Sequence, residues 1–269
     1  FFPRKITSET TDKQYSLTLE YFAYPNLGEL MVQSDIDDET WKNIGENILY
    51  VLSCFKKFKF PLNSHSLARL NMFIDKTEKE YSNLINNFKE FKEFSQHDTI
   101  IINGQKYNNF EKMWETAKPI ITDYCNAQDF NVIHGDLCFS NVLCDPLSGM
   151  LRLIDPRGSF GQDGIYGDSI YDAAKLLHSI EGKYELIICD KYTINYNLKD
   201  GTVDFNFDQH KDLSFIKDII FKDFDENKVK LIMSTIFIGM CARHYDSLER
   251  QIIMYATGIK SMTEALKCI

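Results

Sequence analysis

The sequence predicts an α+β chain, mainly helical, with a short β-hairpin near its middle and a little β structure at its start. Three observations carry this. Apolar residues recur at helical spacing over several long stretches, brief β-rich runs flank a Pro and Gly turn at residues 145–149, and apolar positions alternate from Tyr15 onward. With 269 residues, 44% of them hydrophobic, the chain is long enough for one large domain or two lobes around a buried core.

The elements follow in order. Residues 1–6 read as a strand and Thr7 to Gln14 as a polar turn. The strand from Tyr15 runs into acidic Glu20, then a Pro25-Asn26 turn, then a short helix beginning near Leu27. Trp41, Ile44, Ile48, Val51, Leu52 and Phe55 predict a helix whose acidic start, Asp35 to Glu39, suits its positive end. Leu67, Leu70, Phe73, Thr77, Tyr81, Leu84, Phe88 and Phe91 predict a longer one. Such aromatic-rich stripes are core far more often than cofactor sites.

Ile100 to Tyr107 predicts a hairpin on the turn Asn103-Gly104. A helix from about Asn109 to Asn126 then delivers the chain to a strand at Phe130–Ile133. The loop 134–140 follows, and strands Asn141–Cys144 and Met150–Ile154 pair across the Pro and Gly turn. Asp168 opens a helix with apolar positions Ile170, Ala173, Ala174 and Leu177. Two strands, about Tyr184–Asn197 and Thr202–Phe207, flank the turn Lys199-Asp200-Gly201, and two long helices run from about Asn227 to the end.

Composition narrows the function classes. A net charge of −9 argues against a nucleic-acid partner, because phosphate backbones are bound by excess Lys and Arg. Seven widely spaced cysteines (54, 125, 138, 144, 189, 241 and 268) without a Cys-x-x-Cys pair favour reduced thiols in the cytoplasm over a disulfide framework or a zinc site. Neither a run of 18 apolar residues nor a signal peptide is evident, so nothing suggests membrane insertion.

The most informative stretch is His134-Gly135-Asp136-Leu137-Cys138-Phe139-Ser140-Asn141, with Asp155 fourteen residues after Asn141. Moving the γ-phosphoryl group of ATP to an alcohol needs a carboxylate to receive the hydroxyl proton and oxygen ligands to hold Mg²⁺ on the phosphates. Asp136 is placed for the first task. Asn141 and Asp155 offer a neutral and an anionic oxygen, which suit a hard cation that keeps several waters. The hairpin carries Asn141 at one end and Asp155 at the other, so the two meet side by side.

This pattern resembles the aminoglycoside phosphotransferase and choline kinase superfamily, distant relatives of the protein kinases. There a His-Gly-Asp stands where protein kinases have His-Arg-Asp, with the same step from Asp to Asn. The resemblance implies a protein-kinase-like fold, with Asp136 as catalytic base, Asn141 and Asp155 as magnesium ligands, and ATP and Mg²⁺ as cofactors. Gly167-Asp168 and Asp172-Ala173-Ala174 also resemble the family, which usually has Asp-Leu-Ala at the latter point. Tyr15 to Leu30 is similar to the fifth strand and interlobe hinge, where the main chain from Glu20 through Tyr21 to Phe22 would meet the adenine edge.

By the same resemblance, residues 1–32 are a remnant of the N-terminal lobe and hinge, and 33–269 the helical C-terminal catalytic lobe. The strands carrying the phosphate-covering loop, its Lys and the helix Glu are expected in an upstream segment.

Other residues have two readings. Asp168 is a helix N-cap as well as a family position. Asp172, one turn later on the same face, is placed to hold the loop backbone, and His134 to brace that loop rather than transfer protons. Arg157 can reach a phosphate or an acidic substrate group, or pair with a nearby carboxylate. The polar cluster from Ala242 to Gln251, with His244 and Asp246, fits either an acceptor pocket or a solvated helix connection. A nucleophilic Cys138 would want a basic partner.

The leading functional expectation is a kinase of a small hydroxyl compound: a sugar, an amino alcohol or an antibiotic. The Ile154-Asp155-Pro156-Arg157-Gly158 variant looks more like phosphotransferases that accompany surface-polysaccharide synthesis. The alternatives are a catalytically inactive kinase-like binding or regulatory module, and a metal-dependent hydrolase using His134 and Asp136, for which further His and Asp ligands are wanting.

Overall fold

A computed structural model describes residues 1–33, 36–60, 65–126 and 130–269 of the chain, so Asp35 of the acidic helix start lies outside the described residues. The chain is α+β, with long helices forming the bulk and small sheets at its edges. In order, β1 (Lys5–Thr10) and β2 (Tyr15–Leu19) form an antiparallel hairpin, then α1 (Leu27–Gln33), α2 (Asp38–Lys56), β3 (Lys59–Phe60) and α3 (His65–Leu70) follow. A π-helical turn, Asn71–Asp75, leads into α4 (Lys76–Asn87), then α5 (Lys89–Ser95), β4 (Thr99–Ile102), β5 (Gln105–Asn108) and α6 (Phe110–Tyr124).

The centre of the chain carries β6 (Phe130–Val132), β7 (Val142–Cys144), β8 (Leu151–Leu153), β9 (Tyr166–Gly167), α7 (Ser169–Ile180) and α8 (Tyr184–Ile188). It closes with β10 (Tyr192–Asn197), β11 (Thr202–Phe207), α9 (Lys217–Ile220), α10 (Glu226–Cys241) and α11 (Leu248–Cys268). The sheets run β10-β11-β4-β5 and β3-β6-β9, with β7-β8 and β1-β2 as separate ribbons.

The helical core is built on α10, which packs along α11, α7 and α4. Its sequence is apolar almost all round, and residues 231–239 are buried without a break, as expected of a helix enclosed on every side. The first residues tie into the β7-β8 hairpin. The Phe1 carbonyl accepts the Leu153 N–H, the Pro25 carbonyl accepts the Cys144 N–H, both at 2.9 Å, and Asn26 bridges to Leu143.

Three expectations are corrected. The first strand is not residues 1–6 but Lys5–Thr10, because Ser8 to Thr10 pair with Ser16 and its neighbours, while the Phe2 ring stacks on Phe55 and His134. The long helix over residues 67–91 is interrupted twice, at the π turn and at Phe88, whose extended backbone (φ −122°, ψ 108°) separates α4 from α5. Residues 184–188 form a helix rather than a strand. Glu185, Leu186 and Ile187 bury consecutively against neighbouring helices, and this packing overrides the β propensity of the Leu-Ile-Ile run.

Asp168 settles into a structural part. Its Oδ1 accepts the Ile170 N–H at 3.0 Å as N-cap of α7, and its Oδ2 takes the Arg69 Nε at 2.6 Å and the Tyr124 hydroxyl at 2.9 Å. Arg69 is itself buried, its guanidinium over the Phe130 ring and its Nη2 unpartnered. Removing one member of a buried pair strands the other charge. Asp168→Ala is therefore expected to lower unfolding free energy by about 3–5 kcal/mol in urea titration, with Arg69→Met in the same background recovering part of it. A loss below about 1 kcal/mol would contradict this role.

Candidate active site

Every residue of α7 from Ile170 to Ile180 is buried. Polar side chains survive in such a helix when they find partners. Asp172, Lys175 and Ser179 share one face at i, i+3 and i+7, and all three hold the 134–141 loop. Asp172 accepts the His134 N–H on Oδ2 at 2.7 Å and the Gly135 N–H on Oδ1 at 2.8 Å. Lys175 Nζ stands 2.8 Å from Asp136 Oδ1. Ser179 Oγ accepts the Phe139 N–H at 3.1 Å and donates to Glu185 Oε1 at 2.8 Å. His178 is different: its ring nitrogens lack partners, it lies between the Tyr184 and Phe237 rings, and burial holds its pKa well below the usual value, so it stays neutral.

Loop and hairpin are stitched together from the other side. The Arg157 N–H donates to the His134 carbonyl at 2.9 Å, and His134 Nε2 lies 2.9 Å from the Ile154 carbonyl. With Nε2 as donor, Nδ1 is free to accept the Asp136 N–H at 3.3 Å, which fixes a neutral tautomer. Burial lowers the His134 pKa in the same sense, against the pull of the Ile154 carbonyl and Asp136. Gly135 has φ +80°, and a Cβ there would stand 2.9 Å from Arg157 Cβ, so this turn needs glycine. His134 thus ties the loop to the hairpin through both ring nitrogens.

Asn141 and Asp155 come together at the open end of the β7-β8 hairpin. Val142 pairs with Leu153, and the Ile154 N–H donates to the Asn141 carbonyl at 3.0 Å. The Asn141 amide nitrogen donates to the Asp136 carbonyl at 2.8 Å, which leaves its oxygen as the acceptor. Asp155 adopts φ +56°, a left-handed conformation that Asp tolerates better than most residues, and the chain turns there toward Arg157.

Asp136, Asn141, Asp155 and Arg157 line one cleft of about 300 Å³, with Lys76, Lys175, Arg243 and His244 among the other lining residues. The Asp136 side chain keeps 37% of its surface open. Burial pushes its pKa up, but the attraction and hydrogen bond of Lys175, with Arg157 and His134 adding, hold it below the ordinary value, so it is a carboxylate at neutral pH. Cys138 lines the cleft as a thiol: burial raises its pKa against the pull of Lys175, which leaves no nucleophile there. One amide oxygen and one carboxylate form a donor set that suits Mg²⁺ bound chiefly through phosphates and water.

Other expected residues lie elsewhere. Asp246 does not line the cleft and instead pairs with Arg250 at 2.8 Å, alongside Asp190. Arg250, in the first turn of α11, takes it as a partner from the turn ahead of the helix. Glu20, Tyr21 and Phe22 do not line it either. The Glu20 N–H is spent on the Arg4 carbonyl, Tyr21 is 87% exposed, and the Phe22 ring sits against Tyr24 and the Arg152 guanidinium.

Sequence reasoning missed Lys175, Ser179 and Glu185. The signal was present in α7, where polar residues at 168, 172, 175 and 179 repeat as regularly as the apolar ones. No family model matches this chain, and no curated protein matches it.

Burial pushes the Asp172 carboxyl up to about 7 even though two backbone N–H groups favour its ionised form. The folded chain then holds this proton at pH values where the unfolded chain has released it. Its contribution to stability is full below the unfolded value near 3.8 and declines as pH rises through about 7. Asp172→Asn cannot ionise. Between about pH 5 and about pH 7.5 its unfolding free energy is expected to fall less than that of the wild type in parallel urea titrations; equal falls would show an ordinary carboxyl.

Proposed function

We propose that the chain acts as a Mg²⁺- and ATP-dependent phosphotransferase on a hydroxyl of a small molecule, on a protein-kinase-like fold related to the aminoglycoside phosphotransferases and choline kinases. One observation carries the reading: Asp136, Asn141 and Asp155 line a single open cleft, the last two side by side at the end of one hairpin. Bound at Asn141 and Asp155, Mg²⁺ would supply charge neutralisation on the β- and γ-phosphates of ATP.

The chain's own residues then divide the work. Asp136 orients the acceptor hydroxyl and takes its proton on the oxygen that Lys175 leaves free. A carboxylate of low basicity suffices, because phosphoryl transfer proceeds through a loose transition state in which the proton leaves late. Lys175 fixes the rotamer of Asp136, while Asp172 and Ser179 fix the loop backbone, which keeps the reacting atoms in register. All seven cysteines stand as free thiols, which supports a reducing cytoplasmic setting. No helix among the described residues is long and apolar enough to cross a membrane.

The alternative, an inactive binding or regulatory module on the same fold, is favoured by one feature, the ion pair that engages Asp136 before any substrate arrives. Two measurements separate the readings. ATP is expected to bind the full-length protein only with Mg²⁺ or Mn²⁺ in calorimetry; binding that ignores the metal removes the assignment of Asn141 and Asp155. Asp136→Asn is expected to lower turnover roughly 10²–10⁴-fold with ATP affinity nearly unchanged. Undiminished turnover would take Asp136 out of the reaction.

A further inference from the structure

The lining of the cleft is unusual in a chain of net charge −9. Four basic side chains, Lys76, Arg157, Lys175 and Arg243, share the lining with two carboxylates, Asp136 and Asp155. The cations also crowd one another. Arg157 Nη1 lies 3.3 Å from the Tyr171 hydroxyl, Lys76 Nζ sits 5.9 Å above the same ring, and Lys175 follows one turn later on α7. Arg243, just beyond α10, reaches across to Glu80, which is one turn from Lys76 on α4. Burial together with Arg157, Arg243 and Lys175 pushes Lys76 down to about 7, with only Glu80 opposing.

The acids in the lining are already committed. Asp136 is paired with Lys175, and Asp155 stands at the end of the hairpin assigned to the metal. No lining carboxylate is left for an ammonium group. Lys76 and Arg157, by contrast, have no ion-pair partner among the described residues. They come from different parts of the chain. Arg157 follows the β7-β8 hairpin, whereas Lys76, Arg243 and His244 come with Met72, Tyr184 and Met240 from the helical part of the lining. The π turn at Asn71–Asp75 delivers Met72 and Lys76 into that wall, a device frequent at ligand sites.

We infer that this helical wall binds an acidic group, phosphate or carboxylate, carried by the hydroxyl compound that accepts the phosphoryl group. The inference rests on the phosphotransfer reading and selects within it. An acidic sugar or polyol derivative fits the cleft, whereas an amino alcohol or an aminoglycoside would bring its positive charge against Lys76 and Arg157. Lys76 and Arg243 grip the acid, Arg157 bridges between it and the transferred phosphate, and the crowding of unpaired cations is relieved when the anion arrives. The cost in the empty state is the usual one for a site built to meet charge with charge.

The test is calorimetry on the full-length protein with matched probes: glucose 6-phosphate and glucuronate against glucose and glucosamine, each with and without saturating Mg²⁺ and ADP. The acidic probes are expected to bind at least about tenfold more tightly than glucose and glucosamine, with nucleotide present, and to lose about tenfold in Lys76→Met. Arg243→Met, at a position 53% exposed, provides the same reading should Lys76→Met fold poorly.

Glucose 6-phosphate alone exceeding the neutral probe assigns the site to phosphate, and glucuronate alone to carboxylate. Glucosamine binding as tightly as the acids, no binding of either acid, or acid affinity unchanged in the variants overturns the inference. Loss of acid binding under saturating Mg²⁺ and ADP also overturns it, since the cations then serve the nucleotide, yet leaves phosphotransfer standing. Acid binding in a protein that binds no nucleotide with metal upholds the anion site while the phosphotransfer reading falls.

Discussion

The grip of α7 on the 134–141 loop is the constraint from which the site follows. A loop that turns through Gly135 at positive φ exposes backbone N–H groups, and burying them beside a core helix requires acceptors at fixed heights along that helix. Asp172 and Ser179 supply such acceptors on one helical face, and Lys175 between them pairs with the Asp136 side chain. Because α7 is itself enclosed by the core, the loop is referenced to a fully buried helix. Asp136 inherits that placement.

The same arrangement shapes the electrostatics. Lys175 is buried and charged, its pKa raised in spite of burial because the Asp136 carboxylate lies against it. Asp136 in turn is kept ionised by Lys175. The pair is therefore self-neutralising, and Asp172 beneath it can carry its proton at little electrostatic cost to the loop. What remains unbalanced in the cleft is the positive charge of Lys76 and Arg157. A self-neutralising pair beside surplus basic groups forms a field suited to drawing in phosphorylated or otherwise acidic ligands.

The hairpin contributes geometry rather than charge. Antiparallel pairing across β7 and β8 continues into a hydrogen bond from Ile154 to Asn141, thirteen positions apart, and the left-handed Asp155 then redirects the chain toward the loop. Two clamps result, one from α7 on residues 134–139 of the loop and one at the hairpin end, where Ile154 meets His134 and Asn141 holds the Asp136 carbonyl. The proposed base and the proposed metal ligands lie where the two clamps meet.

The sequence by itself determined the elements with strong local signals: the α2 stripe, the Asn103-Gly104 hairpin, α6, α7, the β7-β8 hairpin and the two final helices. It also placed Asp136, Asn141 and Asp155 together, because a tight hairpin turns fixed spacing into fixed proximity. Only the tertiary structure decided what depends on long-range packing. It set the breaks in the 65–95 region and turned Tyr184–Ile188 helical, against local propensity. The polar repeat of α7 was in the sequence, but that Lys175 and Ser179 hold the loop followed from α7 being buried on all sides, polar face included. Asp246 fell to Arg250, and Lys76 and Arg243 met in the cleft, since charge alone does not tell which side chains distant in sequence will share a wall.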